Sequence, residues 1–394
     1  MEKVCKSEKE KSLLIVAAIY VVAAFIVVLG APVLYTYVFD SQILGLYLSL
    51  LIADIVATLF VWGMGLVFKN SSMYDPYWSV IPPFVVLTAI IMSLSFGAVE
   101  IILFALVLAF GIRLTYNWAS GWKGLSHEDW RYADLRKSQK TWFVSNLLGV
   151  HLMPTLLVFL GLLPAITLAA KGADFSWFIM FGAVVCAGAI VLEGWADWQL
   201  RKFNSANKGD PSICNKGLWK MCRHPNYLGQ ILFWWGIYFM QLAIYPTAWW
   251  TFVGALAITL LFVFISIPLV ERKICARKGF NEYYKTVPML FPFVKFGAHE
   301  LNPANFETKP KQDDSPKVKQ QVMSGAKVIE LKGFEPSKKN LYKEEPAATK
   351  PAAAKTTAPA AAKKPAAKTT AKKAPAKPAA KKAPAKPAAK TTKK

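Results

Sequence analysis

The sequence predicts an all-α, polytopic transmembrane helical bundle of seven or eight spans, followed by a disordered basic C-terminal tail. Three observations carry that prediction. Apolar residues make up 54 % of the chain against 18 % charged, where soluble domains sit nearer roughly 45–50 % and 25 %. Four long stretches, 12–39, 76–99, 141–170 and 224–270, contain no Asp, Glu, Lys or Arg. The net charge of +23 is also unevenly placed: residues 347–394 hold fourteen Lys and no acid, leaving +9 for everything before them. The body is therefore apolar, and a nucleic-acid-binding fold is not the origin of the charge.

A bilayer-spanning helix needs ~20 mostly apolar residues, so the 47-residue stretch 224–270 is two spans, divided near Tyr245 and Pro246. Polar backbone in lipid must be satisfied internally, and continuous apolar runs without period-2 alternation select helices over a barrel. The expected spans are 13–38, 43–67, 79–95, 99–116, 148–170, 177–199, 227–245 and 247–270. The first run is too long for the core of a signal peptide and lacks a small-residue cleavage site after it. Loop 117–141 carries Lys123, Arg131, Arg136, Lys137 and Lys140; loop 200–226 carries Arg201, Lys202, Lys208, Lys216, Lys220 and Arg223. The short loops on the other side offer Lys171 alone. By the positive-inside rule, eight spans place both termini and the basic loops in the cytoplasm. Seven spans result if the first helix lies on the membrane surface. The endoplasmic reticulum of a eukaryote and the inner membrane of a bacterium fit equally.

Three regions follow from composition: a membrane domain at 1–298, a polar linker at 299–346 and a Lys/Ala/Pro tail at 347–394. The nine-residue string AKKAPAKPA occurs at 371–379 and again at 380–388. Proline interrupts helix, like charges repel and no apolar residue large enough for a core is present, so the tail reads as disordered. It resembles the C-terminus of linker histones and is expected to bind anionic lipid or nucleic acid without specificity. The five cysteines show no CxxC spacing, so no zinc site is signalled. Neither GxGxxG nor GxxxxGK[ST] occurs, which leaves no sign of a separate nucleotide-binding domain.

Polar residues at membrane depth are the candidate site. Glu193, Asp197, Arg201 and Asn204 follow at i, i+4, i+8 and i+11 and share one helix face. Such a face is either an ion-pair ladder between helices or the wall of a polar cavity. Arg113 and Asn117 repeat the pattern at i, i+4; Asp54, Glu100 and His151 stand alone, with a paired structural role expected. GWKGLSHEDWRY (121–132) includes His127 and Glu128, further acid–base candidates. GLWKMCRHPNYLGQ (217–230) supplies Arg223, His224, Asn226 and Tyr227 at the membrane surface. With Lys208 and Arg201 opposite, that cluster suits pyrophosphate or another anion, or anchors the loop to lipid headgroups.

Five blocks in order are similar to the steroid 5-alpha-reductase-like membrane family, in its bacterial and protist branch of DUF1295 type. They are YDPYWSVIP (74–82), RLTYNWASGWKGLSHEDWRY (113–132), the Asp197 and Arg201 pair, RHPNYLGQ (223–230) and RKGFNEYYKTVPMLFP (277–292). The likeness covers about residues 40–293. It implies a helical membrane reductase in which NADPH, bound from the cytoplasmic side, delivers hydride to a carbonyl-conjugated C=C bond of a lipidic substrate. The family's cofactor-binding residues fall on Asp197, Arg201, Asn226 and Tyr283. Its Asn before the Asp is Glu193 here, and its acidic residue four after the Asn is Gln230. The Glu that grips the substrate carbonyl falls on Asp75, beside Tyr74. The partner Tyr, three residues before Arg113, falls on Phe110, so Tyr74 and Tyr116 are the candidate replacements. RHPNY-like strings also occur in isoprenylcysteine carboxyl methyltransferases. A S-adenosylmethionine-dependent methyltransferase and a non-catalytic membrane anchor presenting the tail are therefore the competing expectations.

Removing residues 347–394 is expected to abolish weak, salt-sensitive binding to anionic vesicles and DNA, as counterion release requires. Turnover in detergent should stay within about threefold, roughly 0.6 kcal/mol in the barrier. Sedimentation with vesicles or DNA across a salt series, beside an assay of the truncated chain, checks both.

Overall fold

A computed structural model describes residues 2–39, 43–138, 140–210 and 212–294. These fall in one compact unit; the second unit, 318–394, lies outside the described residues, as do the linker and the basic tail. Among the described residues the chain is helical, with no strand and a single isolated bridge between Ser212 and Lys278. The helices are α1 (Glu2–Leu34), α2 (Ile43–Val67), α3 (Tyr77–Ser93), α4 (Ala98–Gly121), α5 (Trp130–Ser138), α6 (Trp142–Ser145) and α7 (Met153–Lys171). They continue with α8 (Trp177–Ala206), α9 (Leu218–Met221), α10 (Pro225–Leu242), α11 (Phe252–Leu261), α12 (Ile267–Ile274) and α13 (Phe280–Thr286). Seven helical stretches are long and apolar enough to cross a membrane. The chain is thus a multi-pass integral membrane protein.

The seven do not include α10, whose 18 residues carry Asn226, Gln230 and Gln241. Even so, α10 runs antiparallel to α8 over its length. A Cβ on Gly229 would lie 2.7 Å from Glu193 Cβ, one on Gly236 2.6 Å from Cys186 Sγ, and one on Gly182 2.5 Å from the Met240 nitrogen. Small residues let membrane helices approach closely, which gains dispersion where no hydrophobic drive separates protein from lipid. The return leg from Pro246 to Ile274 runs antiparallel to α10, with Trp235 Nε1 donating to Thr259 Oγ1 at 3.1 Å midway. Hence α10 traverses the same slab as its long neighbours.

One end of the bundle gathers the basic loops. Lys9 reaches the Ser120 carbonyl there at 3.2 Å, tying the start of α1 to the end of α4. Asn70, the N-cap of the short 3-10 turn Ser71–Tyr74, donates to the carbonyls of Leu125 and His127. At the opposite end Trp177, Phe178 and Trp249 are exposed, as expected of an interfacial aromatic belt. Lys171 lies at that end, over the ring of Tyr245.

Hydropathy placed the ends of α4 and α8 at 116 and 199, but they run to Gly121 and Ala206. The reason is a polar contact beyond the apolar stretch: Arg201 Nη1 donates to Asn117 Oδ1 at 3.0 Å, so both helices continue past the expected slab. Irregular backbone interrupts other spans. Pro82 and Pro83 sit inside α3, and π turns occupy Asn146–Leu152, before α7, and Phe262–Ser266, between α11 and α12.

Gly236→Val is expected to force α8 and α10 apart and to cost about 1–3 kcal/mol of stability by overpacking. Gly188→Val, on α8 where a Cβ meets nothing within 4 Å, is the control. Thermal unfolding in detergent should show a lowered midpoint for the first substitution alone.

Candidate functional site

Toward the basic end the helices diverge around a cavity of about 770 Å³, bounded by α3, α4, α5, α8, α10, the two π turns and α12. Its walls differ in character. Leu261, Phe262, Ile265, Leu269 and Val270 make one side apolar. Asp75, Arg131, Tyr132, Asp134, Glu193, Asp197, Asn226 and Gln230 make the other side polar.

The polar wall is organised by one guanidinium. Arg113 on α4 sits between two carboxylates one turn apart on α8, at 2.5 Å from Glu193 Oε1 and 3.0 Å from Asp197 Oδ2. Gln230 of α10 donates to the same Glu193 oxygen at 2.9 Å. Glu193 Oε2 and Asn226 Oδ1 have no hydrogen-bond partner among the described residues, though both are buried and their residues line the cavity. A buried acceptor without a donor costs stability. These two atoms therefore mark where a ligand N–H or O–H fits.

Asp75 closes the 3-10 turn that precedes α3. It accepts a hydrogen bond from Tyr132 Oη, and Arg131 Nη2 stands 3.4 Å away. Burial first, and then the charge of Asp75, push the Tyr132 phenol well above its ordinary pKa, so it stays protonated and donates. Helix α5 thus lies across the cavity. It is secured on the far side by Lys273, whose ammonium sits 3.8 Å from the Trp130 ring centroid.

Several sequence-predicted residues lie elsewhere. Arg223 and His224 are corrected as anion ligands, because both are buried and bound to Glu271 of α12. Arg223 Nε meets Glu271 Oε1 at 2.7 Å and its Nη1 donates to the carbonyls of Tyr284 and Val287. Burial lowers the His224 pKa despite Glu271, giving a neutral ring 2.9 Å from that carboxylate. Tyr283 spends its hydroxyl on the Trp219 carbonyl at 2.6 Å, away from the cavity. Glu128 accepts from the Ser71 N–H and from Arg136, and the His127 side chain is exposed, so both belong to the loop's tether. Arg201 and Asn204 are exposed beyond the cavity, which splits the expected four-residue face. Glu193 and Asp197 line the cavity; Arg201 does not, though it donates to the cavity residue Asn117 and lies over the Tyr116 ring. The two alternatives for that face are both realised, since Arg113 makes a helix-to-helix ion pair whose carboxylates also line the cavity.

Tyr74 and Tyr227 line the cavity. Tyr74 nevertheless gives its hydroxyl to Thr155 at 2.6 Å and stacks on Tyr77. Tyr116 lies on the outer face between α3 and α4, away from Asp75. Phe110 is buried, its ring stacked 3.8 Å from that of Phe233. The donor beside Asp75 is therefore Tyr132, from the same GWKGLSHEDWRY string but one helix later than the motif suggested. Glu271 was also missed, although it is the first charge after the run that Arg223 opens. Among the described residues no group of His, Cys, Asp and Glu is arranged to hold a metal ion.

Fold and site together define a multi-pass helical membrane protein with a half-polar, half-apolar cavity recessed at its basic end. The chain belongs to the family described as protein of unknown function (DUF1295), which matches residues 61–287. That match takes in every residue lining the cavity. Comparison with curated proteins and with solved structures found no match.

Glu271→Gln should remove the carboxylate charge that Arg223 Nε meets at 2.7 Å in a buried site. A loss of about 3–5 kcal/mol is expected, as when one partner of a buried pair is removed. Chemical denaturation in detergent measures it, and proteolysis should cut first near α13, whose carbonyls Arg223 holds.

Proposed function

We propose that the protein is a membrane oxidoreductase that uses NADPH to reduce a carbonyl-conjugated C=C bond of a lipidic substrate, as steroid 5-alpha-reductase-like enzymes do. The observation that carries this reading is the Tyr132–Asp75 hydrogen bond at the wall of a cavity also lined by the apolar stretch 261–270. A lipid carbonyl is a lone acceptor on an apolar body, and this cavity combines an apolar lining with a phenol that becomes a free donor once Asp75 carries a proton.

The orphan acceptors fit the cofactor. A nicotinamide carboxamide brings an N–H₂ group, and Glu193 Oε2 and Asn226 Oδ1 would hold it. Arg201 and Lys208, exposed at the same end, would meet phosphate. When bound, the cofactor supplies hydride to the carbon β to the carbonyl. Glu193 and Asp197, fixed by Arg113, would hold the cofactor in a preorganised field of the kind that lowers barriers. Tyr132 polarises the carbonyl oxygen. A proton on Asp75 reverses their hydrogen bond, so that Asp75 donates to Tyr132 and frees the phenol O–H for the substrate. The enolate left by hydride addition takes that proton and ends with it on the α carbon. One hydride and one proton thus saturate the double bond.

The methyltransferase reading draws on one observation. Four carboxylates on the cavity wall against two arginines, Arg131 on the wall and Arg113 paired to Glu193 and Asp197, would also suit a sulfonium ion. The positive-inside rule puts the basic end in the cytoplasm, whether the membrane is the endoplasmic reticulum or a bacterial inner membrane.

Purified protein should gain thermal stability with NADPH, by about 2.7 kcal/mol at a hundredfold excess over Kd. Asp197→Ala and Asn226→Ala should remove that gain without changing the helical spectrum. A shift with S-adenosylmethionine and none with NADPH selects the methyltransferase; no shift with either leaves the membrane anchor. Asp75→Asn and Tyr132→Phe should keep the NADPH shift and lose turnover by 10²–10⁴-fold, the usual worth of a positioned acid. Tyr74→Phe should be milder, because its hydroxyl already serves Thr155. Near-normal turnover in Asp75→Asn removes the proposed role.

A further inference from the structure

The cavity's apolar wall leads sideways. α7 and the return leg run antiparallel: Tyr245 reaches the Lys171 carbonyl at 3.3 Å, and a Cβ on Gly161 would lie 2.9 Å from Ile258 Cδ1. Following that pairing toward the basic end sets the π turn Phe262–Ser266 opposite the π turn Asn146–Leu152. A π turn closes i to i+5 hydrogen bonds in place of i to i+4 and is found mostly where function needs a re-aimed backbone. Here two of them face each other, and both contribute to the cavity through Gly149, Val150, Phe262 and Ile265. A Cβ on Gly149 would meet nothing within 4 Å. Both turns lie inside stretches long and apolar enough to span the membrane, and their neighbours Leu148 and Phe264 are exposed on the outer surface. An enclosed pocket buries some 70–90 % of a small ligand's surface. Here Gly149 and Ile265, which line the cavity, are themselves exposed, next to the outward Leu148 and Phe264.

We propose that the substrate is a linear-chain lipid whose polar carbonyl end reaches Asp75 and Tyr132 while its tail leaves between the two π turns and stays in the bilayer. The inference rests on reading the cavity as a site for a carbonyl lipid. It adds that tail length is not limited by the protein, whereas a compact fused-ring lipid would leave the gap unfilled. Gly149 keeps the gap open from one side and Ile265 borders it from the other.

The full chain in lipid nanodiscs, incubated with an octadecyl 2-enone bearing a diazirine at its terminal carbon, tests this by photolabelling. A hexyl 2-enone with the same terminal group serves as the short probe. The octadecyl label is expected on the outward residues Leu148 and Phe264 or on nanodisc lipid, and the hexyl label inside, on Val150 or Phe262. Gly149→Trp and, independently, Ile265→Trp should lower the ratio of octadecyl to hexyl labelling at least tenfold. Octadecyl label confined to the cavity's polar wall overturns the proposal, as does an unchanged ratio in both variants or the absence of labelling by either probe. Labelling needs no hydride transfer. A portal-pattern label on a protein that reduces no enone therefore refutes the reductase reading and leaves the portal standing.

Discussion

Arg113 sits among helices at membrane depth, its side chain 15 % exposed, with two carboxylates of α8 within 3.0 Å. Charge inside a membrane span is costly unless paired, and this pairing sets where α4 can lie against α8. The same two carboxylates then face the cavity. A single electrostatic requirement thus joins three helices, since Gln230 of α10 completes the Glu193 shell. It also leaves one oxygen of Glu193 and the Asn226 oxygen without donors at the wall.

Close packing and irregular backbone divide the bundle between them. Where glycine lets helices touch, as at Gly182, Gly229 and Gly236, there is no room for a ligand. Where the backbone departs from α geometry, space opens. The 3-10 turn before α3 carries Asp75, and the two π turns border the apolar wall. Breaking the helical ladder is tolerated at membrane depth where the segment is buried in protein or lines a cavity. The three irregular turns at the cavity follow that rule, whereas the π turn Tyr35–Phe39, at the end of the first span, is exposed.

Much of the site's character was legible before any coordinates. The i, i+4 spacing of Glu193 and Asp197 put both on one face, and Arg113 with Asn117 announced a matching face on α4. Spacing says which residues share a helix side but not which side meets which helix. For that reason Arg223 and His224 read as free cations at the surface, while in the fold they are buried against Glu271. A signal for that pair existed. A 47-residue charge-free run bounded by Arg and Glu must double back to cross a membrane twice, and doubling back brings its two ends together. The Tyr132–Asp75 bond had a weaker trace, because its two residues come from different motifs separated by two spans' worth of chain.

Sequence alone determined what the chain must do in bulk: cross a membrane repeatedly, keep its basic loops together, and place ionisable groups on the faces of α4 and α8. Apolar run length and helical period are local properties, and a bilayer converts them directly into spans. Tertiary structure decided the pairings. It buried Arg223 against Glu271, set Tyr132 rather than Tyr74 or Tyr116 against Asp75, and left Glu193 and Asn226 each with an acceptor unpaired among the described residues. Those outcomes depend on how far two helices approach and how they are rotated. Side-chain packing between distant segments sets both, and no local pattern encodes it.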